Sequence, residues 1–268
     1  MPSQDTVFAG SIPSLYDQYM VPLLFEPYAR LVAEQAKTFA PARILETAAG
    51  TGVVTEALHR ALPAAEIIAT DLNPPMLEQA ALRVTAANVH FRQADALQLP
   101  FDDRSFELVV CQFGIMFFPD KVAGNAEARR VLRDGGRYLL VIWDKVELNL
   151  ATHAAGKAVA AMFPDDQAAF YERIPFRYHD QAEIKRDLVA AGFSSVVIET
   201  IELRSRAASA RDAAIGLVQG TPMRSEIEQR GPNLLDRATD VATRALEQFE
   251  GPDGFDAPMS ARLVTAVK

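Results

Sequence analysis

The chain lacks the features that mark secreted, membrane-spanning and zinc-binding proteins. It has one cysteine in 268 residues, so it forms no disulfide within itself and offers no cysteine-based zinc site. No run of about 18 uninterrupted apolar residues is present, which argues against a transmembrane helix. The N-terminal residues show no basic segment followed by an apolar run, so no signal peptide is expected. We therefore expect a cytoplasmic protein that does not insert into a membrane and holds no metal.

Basic residues are outnumbered by acidic ones. Lys and Arg total 27 and Asp and Glu total 35, which gives a net charge of −8. Because an acidic protein repels a phosphate backbone at long range, nucleic acid is disfavoured as the main partner. The hydrophobic fraction of 49% is enough for a sizeable core, and the length favours one large domain or one domain with a cap.

The first half of the chain alternates between two hydrophobic patterns. Short apolar runs predict strands at 42–47, 66–71, 89–95, 106–112 and 137–143. Helical spacing predicts helices at 16–37, at 53–62, from Asn73 onward and at 120–132, the last closed by Gly135 and Gly136. Strands that alternate with helices imply a parallel sheet with helices on both faces.

The second half follows a looser pattern. We expect a helix at 181–191, strands at 196–203 and 260–268, and a broken helical segment at 204–257. We predict one domain over 1–268, with a core at about 38–143, 181–203 and 258–268, N-terminal helices at 10–37, and cap insertions at 144–180 and 204–257.

A glycine-rich turn joins the first predicted strand to the helix that follows it. Its glycines let a ligand approach the backbone, and the start of the helix offers unpaired N–H groups. Acids end the first three strands or lie close to their ends. Ligands of a doubly wound sheet bind outside the carboxyl ends of its strands, so these residues map to one edge. They are Glu46, Gly50, Gly52, Asp71 and Asp95. An acid after the second strand is placed to accept hydrogen bonds from two ribose hydroxyls.

Two classes of cofactor compete for this turn. A dinucleotide needs G-x-G-x-x-G/A, with a small third residue for close helix packing. That position is Val53 if the motif starts at Ala48, and Thr55 if it starts at Gly50, so neither register fits. A pyrophosphate would also lie close to the acid Glu46. A cofactor without phosphate and with a cationic end suits that acid better, and a nicotinamide oxidoreductase is disfavoured.

Four motifs follow one another in a fixed order, which is more specific than one glycine turn. They are ILETAAGTG, IIATDLNPPML, FRQADALQLPFDDRSFELVVCQFG and EARRVLRDGGRYLLV. Together they resemble the class I S-adenosylmethionine-dependent methyltransferases, in particular the small-molecule group that includes the ubiquinone/menaquinone biosynthesis methyltransferases. The resemblance covers about 40–143 firmly and 10–35, 181–203 and 258–268 loosely. It implies an α/β fold, a Rossmann-like doubly wound seven-stranded mostly parallel sheet with helical cap insertions.

The resemblance also implies which residues hold S-adenosyl-L-methionine. Glu46 and the turn through Ala48, Gly50 and Gly52 are expected to hold the methionine part, and Asp71 the ribose hydroxyls. Ala48 departs from the family pattern, which has glycine at that position.

The other implied contacts surround the adenine and the methyl end of the cofactor. Those expected around the adenine are Leu72, Met76, Asp95 and Ala96. Gln112 and Phe113 are expected to border the amino-acid end and the methyl group, and Tyr16 to fold over the cofactor carboxylate.

Several of these residues also have simpler interpretations. Asp71 and Asp95 are acceptable as helix caps or turn residues. Cys111 suits a small buried hydrophobic position better than a nucleophile. His153 and His179 lie where a substrate is expected, so either could act as a base or be a surface histidine. The sequence assigns no catalytic residue.

The implied function is transfer of a methyl group from S-adenosyl-L-methionine to a small, largely apolar acceptor by in-line displacement. Two alternatives stay open: a cofactor-binding regulatory or partner protein without transfer activity, and a protein methyltransferase. The charge of −8 argues against an RNA methyltransferase. A homodimer is left open.

Overall fold

A computed structural model of the chain describes residues 12–164 and 170–268. The α-helices are α1 (Ile12–Leu15), α2 (Glu26–Lys37), α3 (Val53–Ala61), α4 (Pro74–Arg83), α5 (Lys121–Val131), α6 (Leu150–Ala160), α7 (Phe170–Arg173), α8 (Gln181–Ala190), α9 (Ala210–Gln219), α10 (Met223–Arg230) and α11 (Leu234–Leu246). The strands are β1 (Arg43–Thr47), β2 (Glu66–Asp71), β3 (Val89–Gln93), β4 (Phe106–Gln112), β5 (Leu132–Trp143), β6 (Ser195–Ala207), β7 (Glu250–Gly251) and β8 (Gly254–Val267). A π-helix (Tyr16–Phe25) joins α1 to α2. Within these described ranges, no helix is both long and apolar enough to cross a membrane.

The strands form one sheet in the order β3-β2-β1-β4-β5-β8-β6. The pairs that join β1 through β5 are parallel, and β8 runs antiparallel to β5. This confirms the predicted α/β class and the mostly parallel sheet. The sheet has eight strands rather than seven, because the two-residue β7 folds back onto β8. Gly254 at φ +97° supplies the left-handed conformation at that hairpin.

The register in which the central strands pair aligns their carboxyl ends. Thr47 in β1 lies beside Thr70 in β2, and Asp71 lies beside Gln93 in β3. Glu46 also pairs with Val110 of β4, so the ends of four neighbouring strands meet at one edge. The strands reach that edge through a core of near-continuous apolar residues, as expected for a parallel sheet covered on both faces.

The described residues cluster into two compact units. The sheet unit takes those within 28–143, 178–201 and 261–268 and contains β1 to β5. The helical unit takes those within 1–27, 144–177 and 202–260, where α6, α9 and α11 pack on one another. The division into a core and cap insertions stays a prediction.

Three local predictions differ from the structure. The first ten residues of the helix expected over 16–37 form the π-helix, which contains Pro22, a residue without a backbone N–H. Gly135 and Gly136 do not cap α5, since Leu132 already pairs with Phe106 and both glycines fall within β5. The expected helical segment 204–257 is strand at both ends, where β6 continues to Ala207 and β8 begins at Gly254.

Candidate cofactor site

The turn after β1 is left-handed at three positions. Ala48, Gly50 and Gly52 have φ of +53°, +55° and +82°. Glycine adopts this conformation freely, whereas an alanine bears a cost of roughly 1–2 kcal/mol. Gly114 leaves room for the extra methyl group, since a Cβ at position 114 would lie 2.5 Å from the Cβ of Ala48. The departure from the family pattern at Ala48 is therefore accommodated by a glycine in the loop after β4.

Gly52 sets the distance between the start of α3, which follows β1, and α4, which follows β2. It precedes α3 as the N-cap residue, and a Cβ there would lie 2.9 Å from the Cβ of Ala80 in α4. A side chain at this position would meet both a positive φ and the neighbouring helix. Gly52 thus lets α4 pack closely beside the turn.

Asp71 at the end of β2 holds the turn in place. Its Oδ2 accepts a hydrogen bond from the backbone N–H of Gly50 at 2.9 Å, and its Oδ1 accepts one from Asn73 at 2.8 Å. The side chain is almost fully buried, and burial raises the pKa of its carboxyl against the opposing effect of these hydrogen bonds. The interpretation of Asp71 as a turn residue is thus correct. The Oδ1 atom also accepts from the Asn73 side-chain amide at 3.3 Å, so the remaining lone pair for a ligand's hydroxyl is on Oδ2.

Glu46 is the second buried acid of the site. Only 2% of it is exposed, and its Oε2 accepts a hydrogen bond of 2.6 Å from the Thr55 hydroxyl in α3. The pKa of Glu46 is raised to about 8, mainly by burial; the Thr55 hydrogen bond opposes this shift and the charge of Asp71 adds to it. Sequence reasoning used Thr55 only to exclude a dinucleotide motif and missed this contact. The sequence feature that could have revealed the contact is a residue with a hydroxyl group, in the first turn of the helix that follows a buried acid.

The residues expected around adenine differ in exposure. Leu72 is a large apolar side chain that is 48% exposed, whereas Met76 on α4 is buried. Asp95 is exposed, and its Oδ1 accepts a hydrogen bond from the backbone N–H of Leu97 at 2.9 Å. Asp95 therefore serves as a turn residue in the loop that follows β3, and Ala96 is half-buried beside it. Their contact with adenine stays a prediction.

An aromatic cluster joins the ends of β4 and β5 to α2. Phe113, at φ +54°, stacks on Trp143 with ring centroids 3.7 Å apart, and Tyr28 meets both rings edge-on. Gln112 is half-buried at the last position of β4. Cys111 is fully buried, and burial raises the pKa of its thiol to about 11, which fits a hydrophobic position rather than a nucleophile. Sequence reasoning named Phe113 as a site residue but missed Tyr28, which lies in a helix far from the motifs.

Three candidates lie away from these strand ends in the sequence. Tyr16 belongs to the helical unit, where it stacks on Phe25 at 5.0 Å. His153 lies on α6 of the helical unit, and His179 precedes α8 in the sheet unit. The cofactor contact of Tyr16 and a base role for either histidine stay predictions. Residues 12–164 and 170–268 contain no cluster of three or more His, Cys, Asp or Glu side chains that could hold a metal ion.

Comparison with known proteins agrees with this geometry. A family model described as a methyltransferase domain matches residues 44–136, which include every predicted cofactor residue except Tyr16. A demethylmenaquinone methyltransferase of Deinococcus radiodurans is 39% identical over 116 residues, or 42% of this chain and 48% of that protein. The ubiquinone/menaquinone biosynthesis C-methyltransferase UbiE of Stutzerimonas stutzeri is 33% identical over 168 residues, or 58% of this chain and 66% of that protein. The chain thus spans about half to two thirds of the length of these relatives.

Solved structures show the same fold over most of the chain. The YcgJ protein of Bacillus subtilis has a TM-score of 0.59 at 20% identity, covering 90% of this chain and 98% of that one. At this identity the likeness concerns the fold alone. The likeness to methyltransferases instead depends on the matched motifs, whose glycine turn and buried acids lie at one edge of the sheet. Residues 44–136 therefore match a methyltransferase domain, and the chain is similar to class I S-adenosylmethionine-dependent methyltransferases, among them those of ubiquinone/menaquinone biosynthesis.

Proposed function

We propose that the chain transfers a methyl group from S-adenosyl-L-methionine to a small, largely apolar acceptor. The observation that carries this proposal is the pair of buried acids at the carboxyl ends of adjacent strands, Glu46 in β1 and Asp71 in β2. They flank a glycine turn whose Gly50 N–H is bonded to Asp71. A buried acid pair disfavours a phosphate-bearing ligand and favours one with a cationic group and hydroxyls.

The cofactor fits the chemistry of these residues. Glu46 carries its proton near neutral pH, because burial raises its pKa to about 8. A cationic ammonium group placed beside it favours the ionised carboxylate and so offsets part of the cost of burying that charge. The Oδ2 atom of Asp71 has a lone pair left to accept from a ribose hydroxyl, and Leu72 offers an exposed apolar side chain beside it.

The protein's main contribution is placement. S-adenosylmethionine supplies a methyl group on a sulfonium, which is already activated for displacement. Correct orientation of two reactants accounts for roughly 7–11 kcal/mol of a barrier. Phe113 follows β4 and Trp143 ends β5, and their stacked rings form a rigid apolar surface of the kind that orients a ligand and excludes water. A base is needed only if the acceptor must lose a proton first.

The acceptor class that we propose is a quinone ring in its reduced form. The two relatives named above carry demethylmenaquinone and ubiquinone/menaquinone biosynthesis in their names, and we extend that class to this chain. Demethylmenaquinol is accordingly the first acceptor to assay. The core-and-cap arrangement of one domain and a cytoplasmic location remain predictions from the sequence, and a homodimer stays open.

Binding of S-adenosylhomocysteine by calorimetry tests the cofactor half of the proposal. Leu72→Ala should weaken binding about tenfold, the loss expected for an apolar contact of roughly 1–2 kcal/mol. Leu82→Ala is the matched control, because Leu82 is exposed on α4 and no cofactor contact is proposed for it. Equal affinities of the two variants would contradict the predicted place of the adenine.

A methyl-transfer assay tests the other half of the proposal, the acceptor. Incubation with S-adenosylmethionine and demethylmenaquinol should give a product heavier by one methylene group, detected by mass spectrometry. Cofactor binding with no product from this acceptor or from other reduced quinones would overturn the quinol proposal. A methylated protein in place of a methylated small molecule would establish the protein methyltransferase alternative instead.

A further inference from the structure

The helical unit contains a cleft along one face of α6. Its volume is about 540 Å³, and all of its described lining residues belong to the segment Val146–Glu172. Thr152 and Lys157 line it from α6, and Tyr171 and Glu172 line it from α7. A cavity of about 150 Å³ is enough for one benzene molecule, so this cleft has room for one ring with substituents at both ends.

Both walls of the cleft are anchored within the helical unit. α6 packs on α9 and α11. On α7, the Tyr171 hydroxyl donates to the carbonyl oxygen of Leu217 in α9. The next residue, Arg173, forms an ion pair with Glu226 of α10. The ring of Tyr171 also packs against α6, since a Cβ on Gly156 would lie 3.2 Å from its Cδ2. The groups that line the two walls are therefore held at a fixed separation.

The two walls carry opposite charges. Lys157 on α6 and Glu172 on α7 both line the cleft, and both are exposed. Neither side chain forms an ion pair or a hydrogen bond with any residue within 12–164 or 170–268, so the two charges do not neutralise one another. Opposite charges that are held apart across one cleft complement a ligand that carries both signs of charge.

A hydroxyl group on the buried side of the cleft also lacks a partner. Thr152 is 2% exposed and lines the cleft. A threonine inside a helix can donate to the carbonyl oxygen four residues earlier, as Thr239 of α11 does to Leu235. The Thr152 hydroxyl makes no hydrogen bond in the part of the chain that the structure describes. Unlike Nδ1 of His153, its oxygen is not sealed within the protein, so a ligand in the cleft can reach it.

The helix sets the distance between these polar groups. Thr152 and Lys157 lie about 140° apart around α6 and about 7.5 Å apart along its axis. Thr152 is at the buried margin of the lining face and Lys157 is at its exposed margin. One ring with polar groups at its opposite ends spans such a distance. Between the two margins, Gly156 and Ala160 give that ring an apolar surface to lie on.

We propose that this cleft binds a small zwitterion, an amino acid whose side chain is a single ring that carries a hydroxyl group. Its carboxylate pairs with Lys157, its ammonium group pairs with Glu172, and its hydroxyl group hydrogen-bonds to that of Thr152. The proposal is separate from methyl transfer and concerns the helical unit alone.

Titration of the full chain with L-tyrosine, followed by ligand-detected NMR, tests the proposal without any methyl donor. Three analogues each lack one of the three polar groups. Tyramine lacks the carboxylate, 3-(4-hydroxyphenyl)propionate lacks the ammonium group, and L-phenylalanine lacks the hydroxyl group. Each should bind about three- to fivefold more weakly than L-tyrosine, the effect of one exposed charge pair or one hydrogen bond.

Each analogue has a matching variant of the protein. Lys157→Met, Glu172→Gln and Thr152→Val should each weaken L-tyrosine binding by the same three- to fivefold, roughly. Lys157→Met should not weaken tyramine further, because tyramine has no carboxylate, and the same holds for the other two pairs. Lys185→Met, at an exposed position of α8 that does not line the cleft, should leave all four affinities unchanged.

Circular dichroism should show an intact fold in all four variants. Full affinity for L-tyrosine in both Lys157→Met and Glu172→Gln would overturn the cleft as the site. Equal affinities of the wild-type protein for L-tyrosine and its three analogues, or no binding of L-tyrosine at millimolar concentration, would overturn the zwitterion as the ligand. Additive losses for an analogue and its matching variant would overturn the contact assigned to that pair. Because no cofactor is present, these outcomes are independent of whether the chain transfers methyl groups.

Discussion

Substitution of Glu46 by glutamine should change how the stability of the protein depends on pH. Glu46 is buried, and its pKa in the folded protein is raised from an ordinary 4.5 to about 8. The folded state thus binds this proton more tightly than the unfolded state does. The stabilisation from the raised pKa is complete below pH 4.5 and is lost as the pH rises through about 8.

The magnitude follows from the shift. The difference between 4.5 and about 8 is about 3.5 pKa units, or about 5 kcal/mol in total. Over the accessible window from pH 5 to pH 9, linkage gives a loss of about 4 kcal/mol from this one group. Glu46→Gln cannot ionise, so the variant should gain about that much stability relative to wild type across the same window.

Urea unfolding of both proteins at intervals from pH 5 to pH 9 measures this difference directly. Thr55 provides the matched pair of variants, because its hydroxyl lowers the pKa of Glu46. Thr55→Ser keeps the hydroxyl and should follow wild type, whereas Thr55→Val should move the loss of stability to higher pH. Parallel curves for wild type and Glu46→Gln would refute the reasoning.

Three further outcomes are expected from the packing. Gly114→Ala should destabilise the fold by about 1–3 kcal/mol, because its Cβ would meet Ala48 at 2.5 Å and the Cys111 sulfur at 2.9 Å; Ala48→Gly in the same chain should restore part of the loss in urea unfolding. Asn149→Ala should cost about 1–3 kcal/mol in the same assay, since Asn149 hydrogen-bonds both the N–H and the carbonyl of buried Ser260; a loss below about 0.5 kcal/mol would contradict the buried network. The Cys111 thiol, with its pKa raised to about 11, should react with a thiol reagent only after denaturation, and rapid labelling of the native protein would show that it is accessible.

The strands of the first half could be predicted because their signals are local. β1, β2 and β4 are short apolar runs closed by turn residues, and their bounds match the predictions within one residue. The strand ends of the second half could not, because pairing decides them. β6 continues through Arg204 to Ala207, in a polar stretch whose composition also suits an exposed helix. Arg204 forms an ion pair with Asp256 of β8, a contact between distant parts of the sequence.

The candidate site was predictable as a set of strand-end residues but not as a set of contacts. The motif placed Glu46 and Asp71 at one edge, yet it held no information on which donor each carboxylate accepts from. The Thr55 hydroxyl reaches Glu46 from the following helix, and Gly114 makes room for Ala48 from another loop. Both contacts depend on how separate helices, strands and loops pack together, and hydrophobic periodicity in the sequence does not specify that packing.

Thermal unfolding with S-adenosylhomocysteine, and separately with NAD, is the most direct test of the claim that the edge at β1 and β2 binds S-adenosylmethionine. At about 100 times the dissociation constant a bound ligand adds about 2.7 kcal/mol, or roughly 2–4 °C for a domain of this size. The account predicts this shift with S-adenosylhomocysteine, its loss in Asp71→Ala at the same ligand concentration, and no shift with NAD. A shift with NAD, or none with S-adenosylhomocysteine, would contradict the account.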